Sequence, residues 1–600
     1  MQSKKDFHVG ADFIRLLDFG QRAHLVSHKL HGRIKSAPTK DTTNRDIKGG
    51  AKPMNWEKYR DEIREKGGAL PEDWYILGID LGTTNSVISY WDNGAKRPEP
   101  IDTSNGFGKI PLPSVVQYRP DESGEGEWVV GEEAWRSIKI YPETTIRSIK
   151  RKMGSNETVE LGGKKYLPEE ISAKILAQMV EYCQSLNPKA EIAGLVVSVP
   201  YDFEDAAKKA TMQAVELAGL QDKLICLMEE PKAAALAYNF RKELAQDEKI
   251  LVFDFGGGTL DITLFHVVEK NDTKIKLQVI AEGGEAQHGG DNIDDILLAK
   301  SYELIQEKIG MGQADIAPEN RAELSIRARE AKERLSGVKS FRIPFTFCIP
   351  PFVELLTREQ FEELAADFID KTRKLVQKAL REAYTGAIYP DQIDRVLLEG
   401  GSSTMPWVRD VFIEIFNDET KIYTSERPAL DISLGATYYA AMKMGLLSAA
   451  DMEADTLDVE FEVTVAHDIG LEIVKGGKPS FFPMIRRGTP YALAKKSHVF
   501  TLSGELPEDM TKLDLRILER LDITHGYEDC KLIGEVAITG LPQRGSGKTR
   551  LQVTLMVEEE GGMVKGNVKD LGFGEEHAPS GYDENFDPSR FTKKTVGTTP

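Results

Sequence analysis

Two short segments carry residue types suited to holding a polyphosphate. They are Asp80-Leu81-Gly82-Thr83-Thr84 and Asp254-Phe255-Gly256-Gly257-Gly258-Thr259, about 175 positions apart in a chain of 600 residues. Each places an aspartate at the end of an apolar run, then glycine, then threonine. Polyphosphate oxygens need backbone N–H donors at close range, and glycine lets the backbone approach without a Cβ clash. Threonine hydroxyls add donors. The aspartates cannot face bare phosphate, but they can hold Mg²⁺ through its waters. One glycine turn alone reads as a tight hairpin. Two turns of the same kind point to one nucleotide clamped from both sides.

The elements that must position these turns are legible in the hydrophobic pattern. Tyr75 to Trp91 reads as strand, glycine turn, strand. After Pro168, helices and strands alternate. Ser172 to Leu186, Glu204 to Ala218 and Pro231 to Leu244 read as helices, and Ile192 to Val199, Leu224 to Met228 and Lys249 to Phe253 as strands. That alternation predicts an α/β domain with a largely buried sheet. A helix-rich stretch covers Ile293 to Ser336. Thr357 and Gln360 have capping-box spacing and open a long helix toward Tyr384. Arg395 to Leu398 is a strand entering a third glycine pair, Gly400-Gly401.

Beyond Ala450 the character changes. An acid-rich linker is followed by short alternating segments: Phe461 to Ala466, Ile469 to Val474, Ser497 to Leu502, Leu513 to Leu518, Leu532 to Ile538, Leu551 to Val557 and Val564 to Val568. These predict an all-β sandwich. The expected organisation is a disordered extension over 1–72, an α/β domain over 73–449, the acidic linker over 450–462, the sandwich over 463–570, and a disordered tail over 571–600.

The bulk numbers exclude several classes. A formal charge of −19 argues against a general nucleic-acid binder. No apolar run is long enough to span a bilayer, so no membrane partner is expected. Cys183, Cys226, Cys348 and Cys530 form no CxxC or Cys/His cluster, which disfavours zinc and fits inert thiols in a reducing, cytoplasmic setting. Gly545-Ser546-Gly547-Lys548-Thr549 has the ending of a P-loop, but Pro542 stands where its first glycine belongs and a strand follows. It reads as a hairpin turn.

Four stretches together resemble the DnaK-type, 70-kDa heat-shock chaperone family. They are Ile79-Asp80-Leu81-Gly82-Thr83-Thr84-Asn85-Ser86, Val252 to Asp261, Leu398-Glu399-Gly400-Gly401-Ser402-Ser403-Thr404-Met405-Pro406, and Glu230-Pro231-Lys232-Ala233-Ala234-Ala235-Leu236-Ala237-Tyr238. The resemblance runs from about Tyr75 to about Asp570. It implies an actin-like ATPase domain of two similar lobes, followed by a β-sandwich that binds extended apolar polypeptide. It implies ATP/ADP and Mg²⁺ as ligands, and a J-domain co-chaperone and a nucleotide-exchange factor as partners. By the same resemblance Asp80 and Asp254 organise Mg²⁺ and the attacking water. Thr83, Thr84 and Thr259 contact phosphates, Lys150 neutralises the γ-phosphate, and Glu230 stands near metal and water. Gly82, Gly256, Gly257, Gly258, Gly289, Gly290, Gly400, Gly401, Ser402, Lys332 and Ser336 fall where the family holds the nucleotide, and Pro200 at its interdomain switch.

Several positions depart from the family pattern. Thr404 replaces an arginine beside the adenine. Arg329 and Glu333 stand where the family has Glu and, in many members, Arg, which is either a swapped ion pair or a lost contact. Asp291-Asn292 replaces Glu-Asp, Lys208 a relay arginine, and Lys232 a threonine. The linker Leu457-Asp458-Val459-Glu460-Phe461-Glu462 interrupts with three acids what the family keeps apolar, which weakens its expected docking. No lid helix is legible after Asp570. The leading expectation is an ATP-hydrolysing chaperone. The alternatives are a nucleotide-gated module with one dedicated partner, and a small-molecule kinase of the same fold.

Overall fold

The computed structural model describes residues 55–572, except 105–109, 122–125, 202, 204, 242–243, 272–273, 385, 448–457, 463, 466, 476–477, 502–511, 521–524, 540–548 and 558–563. The first 54 residues of the extension, most of the acidic linker, the tail from 573 and the turn at 545–548 lie outside the described residues.

Two sheets organise the α/β part, and they repeat one strand order. In the first half β1 (Trp74–Asp80), β2 (Asn85–Asp92), β3 (Arg97–Pro100), β4 (Glu191–Val199) and β5 (Leu224–Glu229) run β5-β4-β1-β2-β3, with a short strand at Leu112–Pro113 also on β2. In the second half β6 (Lys249–Phe255), β7 (Leu260–Asn271), β8 (Lys274–Glu285), β9 (Arg395–Glu399) and β10 (Ile422–Thr424) run β10-β9-β6-β7-β8. The central strands β1 and β6 each pair antiparallel with the next strand in a hairpin and parallel with β4 or β9. The hairpin ends of β1 and β6, where Asp80 and Asp254 sit, are therefore topologically equivalent.

Five helices matter for the site: α1 (Asn55–Glu65), α2 (Glu230–Arg241), α3 (Gly290–Ile309), α4 (Pro318–Gly337) and α5 (Asp431–Lys443). Helices α2 and α5 share one buried cluster with residues of both sheets, including Ile76, Val196, Ile250, Val252 and Leu397. Small residues permit their close crossing. A Cβ placed on Gly435 of α5 would lie 1.8 Å from the Ala233 carbonyl oxygen of α2. The capping box at Thr357 forms as expected: Gln360 N donates to Thr357 Oγ1 at 3.2 Å and Thr357 N to Gln360 Oε1 at 2.9 Å. The helix it opens breaks at Ala365 and resumes over Ala366–Arg381.

Two expectations need correction. The extension is not unstructured throughout, because α1 packs on the first half. Ile63 is fully buried, the Tyr59 ring meets Trp74 edge-on at 4.7 Å, and Lys223 Nζ lies 4.1 Å from the Tyr59 ring centroid. The segment Phe461 to Ala466 belongs only in part to the sandwich: Thr464 bridges Pro490 and Val465 lies in the sandwich core, but Phe461 and Glu462 do not. Instead β11 (Asp458–Glu462) joins the second sheet as a sixth strand, parallel to β8 with Lys274 opposite Asp458 and Gln278 opposite Glu462. Strand alternation explains this. Val459 is buried and Phe461 packs toward Phe265 on one face. On the other face Glu460 pairs with Lys274, and Glu462 with Lys276 at 2.7 Å and Gln278 at 2.7 Å. Glu460 and Glu462 are matched by Lys274 and Lys276 of β8 and do not oppose docking.

The C-terminal part is a pair of sheets packed on one core. Four strands run in the order Lys478–Ile485, Asp468–Lys475, Lys512–Arg520, Lys531–Thr539, and three in the order Lys495–Thr501, Arg550–Val557, Val564–Gly572. Ile469 and Leu471 lie in that core with Ile485, Ile517, Leu551 and Leu555. The sandwich touches the second half through Arg487, whose Nη2 donates to the Glu382 carbonyl at 2.8 Å and whose guanidinium lies over the Tyr384 ring.

Candidate functional site

The two glycine–threonine turns face each other across the space between the halves. A Cβ on Gly258 would sit 2.4 Å from Thr83 Oγ1, and one on Gly257 1.7 Å from Thr84 Oγ1. Only glycine permits this approach. Gly256 N closes the second turn on Thr259 O at 3.1 Å. Gly290 N and Asp291 N, at the start of α3, donate to Gly256 O and Gly257 O at 3.0 and 2.8 Å, so the pair Gly289-Gly290 lies against the same turn. Ser402 Oγ donates to Gly256 O at 2.8 Å from the third glycine turn, where Gly400 has φ 80°.

Beneath the turns lies a group of buried charges. Lys150 Nζ contacts Glu230 Oε1 at 2.6 Å, and both side chains are under a tenth exposed. Lys150 comes from a short helix after β3, Glu230 from the first residue of α2. Asp80 accepts a hydrogen bond from Ser198 of β4 at 3.0 Å. Asp261 of β7 lies directly opposite Asp254 in the β6–β7 register. One carboxylate oxygen each from Glu230, Asp254 and Asp261 lies within 4.8 Å of the others, and all three residues are buried.

Burial pushes the Asp80 pKa up to about 7, with the Glu230 charge adding to it and Lys150 and Ser198 opposing. Burial, then Glu230 and Asp80, hold Asp254 well above the usual carboxylate range. Burial works against the Lys150 charge, but Glu230 and Asp80 outweigh it and raise that lysine above its ordinary value. Crowded carboxylates with a single close cation favour a further positive charge. The donors are all oxygen, which suits a hard divalent cation such as Mg²⁺. The residues present therefore fit the ion, with Asp261 added to the expected pair Asp80 and Asp254. Asp261 was legible as a residue two places past Thr259 on a strand, but its inward direction needed the register.

The far end of the site differs from the end that holds the two turns. Lys332 Nζ is held by Gly290 O at 2.9 Å and Asp294 Oδ1 at 2.8 Å, and Ser336 Oγ donates to Lys332 O at 3.2 Å. Arg329 Nε and Glu333 Oε1 form an ion pair at 2.9 Å. Arg329 also lies 4.8 Å over the Trp135 ring and donates to Asn85 Oδ1 at 3.2 Å. Thr404 Oγ1 turns back onto Gly401 O at 2.7 Å. Lys208 and Lys232 both pair with Glu229, at 3.7 and 2.5 Å, and Pro200 is buried at the end of β4. Thr84 Oγ1 donates to Asp291 Oδ1 at 2.7 Å, a contact across the two halves that the sequence did not announce.

Comparison with known proteins gives the chain a family. The family model described as Hsp70 protein matches residues 76–160 and 156–578. The chain is similar to the chaperone protein DnaK of Thermosipho melanesiensis, 32% identical over 510 residues, covering 84% of this chain and 79% of that one. It is similar to the chaperone protein DnaK of Thermotoga petrophila, 33% identical over 513 residues, covering 84% and 80%. It is also similar to the chaperone protein DnaK of Thermosipho africanus, 33% identical over 512 residues, covering 84% and 79%.

Proposed function

This chain belongs to the Hsp70 family, and from that premise we propose that it is an ATP-dependent chaperone that couples ATP hydrolysis to the holding of extended apolar polypeptide. In this reading the two halves are the lobes of an actin-like ATPase domain. The observation that carries it is the buried Lys150–Glu230 pair beside Asp80 and Asp254, directly under two facing glycine–threonine turns.

The chemistry follows from those residues. Backbone N–H groups of the two turns, with Thr83 and Thr259, receive the phosphate oxygens. Lys150 offsets the charge that develops as the bond from the γ-phosphorus to its bridging oxygen breaks. Asp80, Asp254 and Glu230 orient the water whose oxygen forms the new bond to phosphorus; ADP leaves with the electron pair of the broken bond, and of the water's two protons one stays on the phosphate and the other passes to solvent. A Mg²⁺ held by Glu230, Asp254 and Asp261, with Asp80 beside them, would supply charge neutralisation at the phosphates.

The polypeptide site belongs to the sandwich. Strand Lys495–Thr501 lies at the edge of its sheet with Lys495 to Val499 exposed. His498 and Phe500 of this strand cluster with Phe482, with ring centroids 4.6–5.2 Å apart. A peptide adding along an edge gains main-chain hydrogen bonds and sets an apolar side chain against such rings. The route between the sites runs through Lys232, which pairs with Glu229 at the end of β5 and lies over Phe461 of β11. A J-domain co-chaperone, a nucleotide-exchange factor and a cytoplasmic location complete the reading. No helix of the described residues is long and apolar enough to cross a membrane.

The test is phosphate release by the purified chain with Mg²⁺ and ATP, together with peptide affinity with and without ATP. Hydrolysis that Lys150→Ala abolishes, and an ATP-dependent change in peptide affinity, support the proposal. No hydrolysis in the unaltered chain sinks it. The Arg329–Glu333 pair and the engagement of Lys332 by Asp294 favour a second reading, a nucleotide-gated module with one dedicated partner. Silence across an array of apolar peptides would select that reading.

A further inference from the structure

Asp291 occupies the first turn of α3 and touches three separate parts of the site. Its N–H donates to Gly257 O in the second phosphate turn at 2.8 Å. Its Oδ1 accepts from Thr84 in the first phosphate turn at 2.7 Å. Its Oδ2 accepts from Ser148 Oγ at 2.5 Å. Ser148 caps the short helix Ile149–Lys152, which carries Lys150. Ser148 is also a non-glycine residue with φ 54°. A left-handed conformation persists at such a residue only when its surroundings enforce it. The hydrogen bond to Asp291 is one such restraint, and it comes from the opposite half of the domain.

The neighbouring residue reinforces the same junction. Asn292 Oδ1 accepts from Arg151 Nη2 at 2.8 Å and from Gly289 N at 3.0 Å. The same Arg151 nitrogen reaches Gly258 O at 3.4 Å. Ser148 and Arg151, before and after Lys150, are thus pinned to the second half, while the Lys150 ammonium is pinned to Glu230. An acid in the first turn of a helix ordinarily needs no partner, because the helix dipole suffices. Here both carboxylate oxygens are committed to hydroxyls from across the cleft.

We propose that Asp291 is a positioning residue for the hydrolysis proposed above: it sets Lys150 and the first phosphate turn in register with the second only when the two halves are closed. The proposal rests on that functional reading for its kinetic consequence but not for its structural one. Asp291 touches neither phosphate nor metal in this scheme. It acts through Thr84 and Ser148.

The experiment compares Asp291→Ala, Asp291→Asn and Ser148→Ala in the full chain. The expected result is a fall in kcat of roughly tenfold for Asp291→Ala with KM changed less than threefold, since misplacing a catalytic group lowers turnover more than binding. Asp291→Asn, which retains an acceptor and gains a donor for the second hydroxyl, recovers kcat to within about threefold. Ser148→Ala reproduces about half of the Asp291→Ala effect on a logarithmic scale. Hydrogen exchange without nucleotide is the second arm: amides at 83–86 and 148–152 exchange faster in Asp291→Ala, while the melting temperature stays unchanged. A purely structural acid would lower the melting temperature and leave kcat and local exchange alone, which overturns the proposal. Failure of Asp291→Asn to recover turnover also overturns it. If the unaltered chain hydrolyses no ATP, the functional reading falls while the exchange arm still decides the positioning. If Asp291→Ala does not fold, Ser148→Ala decides by the same two readouts.

Discussion

Lys150 and Glu230 lie 80 positions apart and meet as a buried ion pair, 2.6 Å from Nζ to Oε1. The pair joins the helix after β3 to the start of α2, so it ties the site to the helix layer between the sheets. Removing one partner of a buried pair leaves the other charge uncompensated. Lys150→Met should lower unfolding free energy by about 3–5 kcal/mol and abolish hydrolysis. Lys150→Met with Glu230→Gln should regain most of the stability and none of the activity. Urea titration and single-turnover hydrolysis separate the two effects.

Asp261 should behave as part of the cation site. Asp261→Asn is expected to weaken Mg²⁺ binding by roughly tenfold or more, since a ligand carboxylate is lost from a buried all-oxygen set. Calorimetric titration of Mg²⁺ into the nucleotide-free chain measures it. Equal affinities in the variant and the unaltered chain would remove Asp261 from the site.

Docking of β11 should depend on salt. The Lys276–Glu462 pair is about a quarter exposed on each side, so each such pair contributes up to about 1 kcal/mol and is screened. Raising ionic strength from about 0.05 M to about 0.5 M should speed amide exchange at 458–462. Lys274→Glu with Lys276→Glu should do the same at low salt. Adding Glu460→Lys and Glu462→Lys should restore protection. Exchange insensitive to both salt and charge reversal would show that Val459 and Phe461 hold the strand alone.

The stability of the folded chain should fall as pH rises through the range set by Glu282. The Glu282 carboxyl is hydrogen-bonded by Tyr384 and lies in a cavity of about 330 Å³ with Tyr201, Lys378, Glu382, His467 and Arg487. Burial pushes its pKa from 4.5 up to about 7; Tyr201, Tyr384 and the Lys232 charge oppose that, and Glu229 adds to it. The folded state therefore keeps a proton that the unfolded chain would lose. The contribution of Glu282 to stability is fully present below pH 4.5, is lost as pH rises to about 7, and is flat above, with a slope of at most about 1.4 kcal/mol per pH unit. Glu282→Gln should flatten this dependence. Urea titration across that range checks it.

What was legible in the sequence is what local pattern determines. The two aspartate–glycine turns, the Thr357–Gln360 cap and the run of α/β elements all rest on short-range signals. What was not legible depends on tertiary partners. Helix α1 is polar and eleven residues long, too short to be stable alone, and it forms because Trp56, Tyr59 and Ile63 share a face that packs on the first half. Strand Lys478–Ile485 was hidden by Pro479 and Pro483, which an edge strand tolerates. The acids of the linker read as an obstacle until Lys274 and Lys276 of β8 stood opposite them. Asp291 stood out only as a departure from the family pattern; its bridging role was hidden, since its side-chain partners are Thr84 and Ser148.

The place taken by β11 also has a cost when it is vacated. With β11 gone, β8 becomes a sheet margin whose unpaired N–H and C=O groups can template any passing strand. Its buried side carries Ile275, Leu277 and Val279, so the bared margin would be adhesive. Lys274 and Lys276 alternate with them, and lysines on a bare margin discourage self-association. The same two cations that hold the segment in place would then act as gatekeepers against aggregation in its absence.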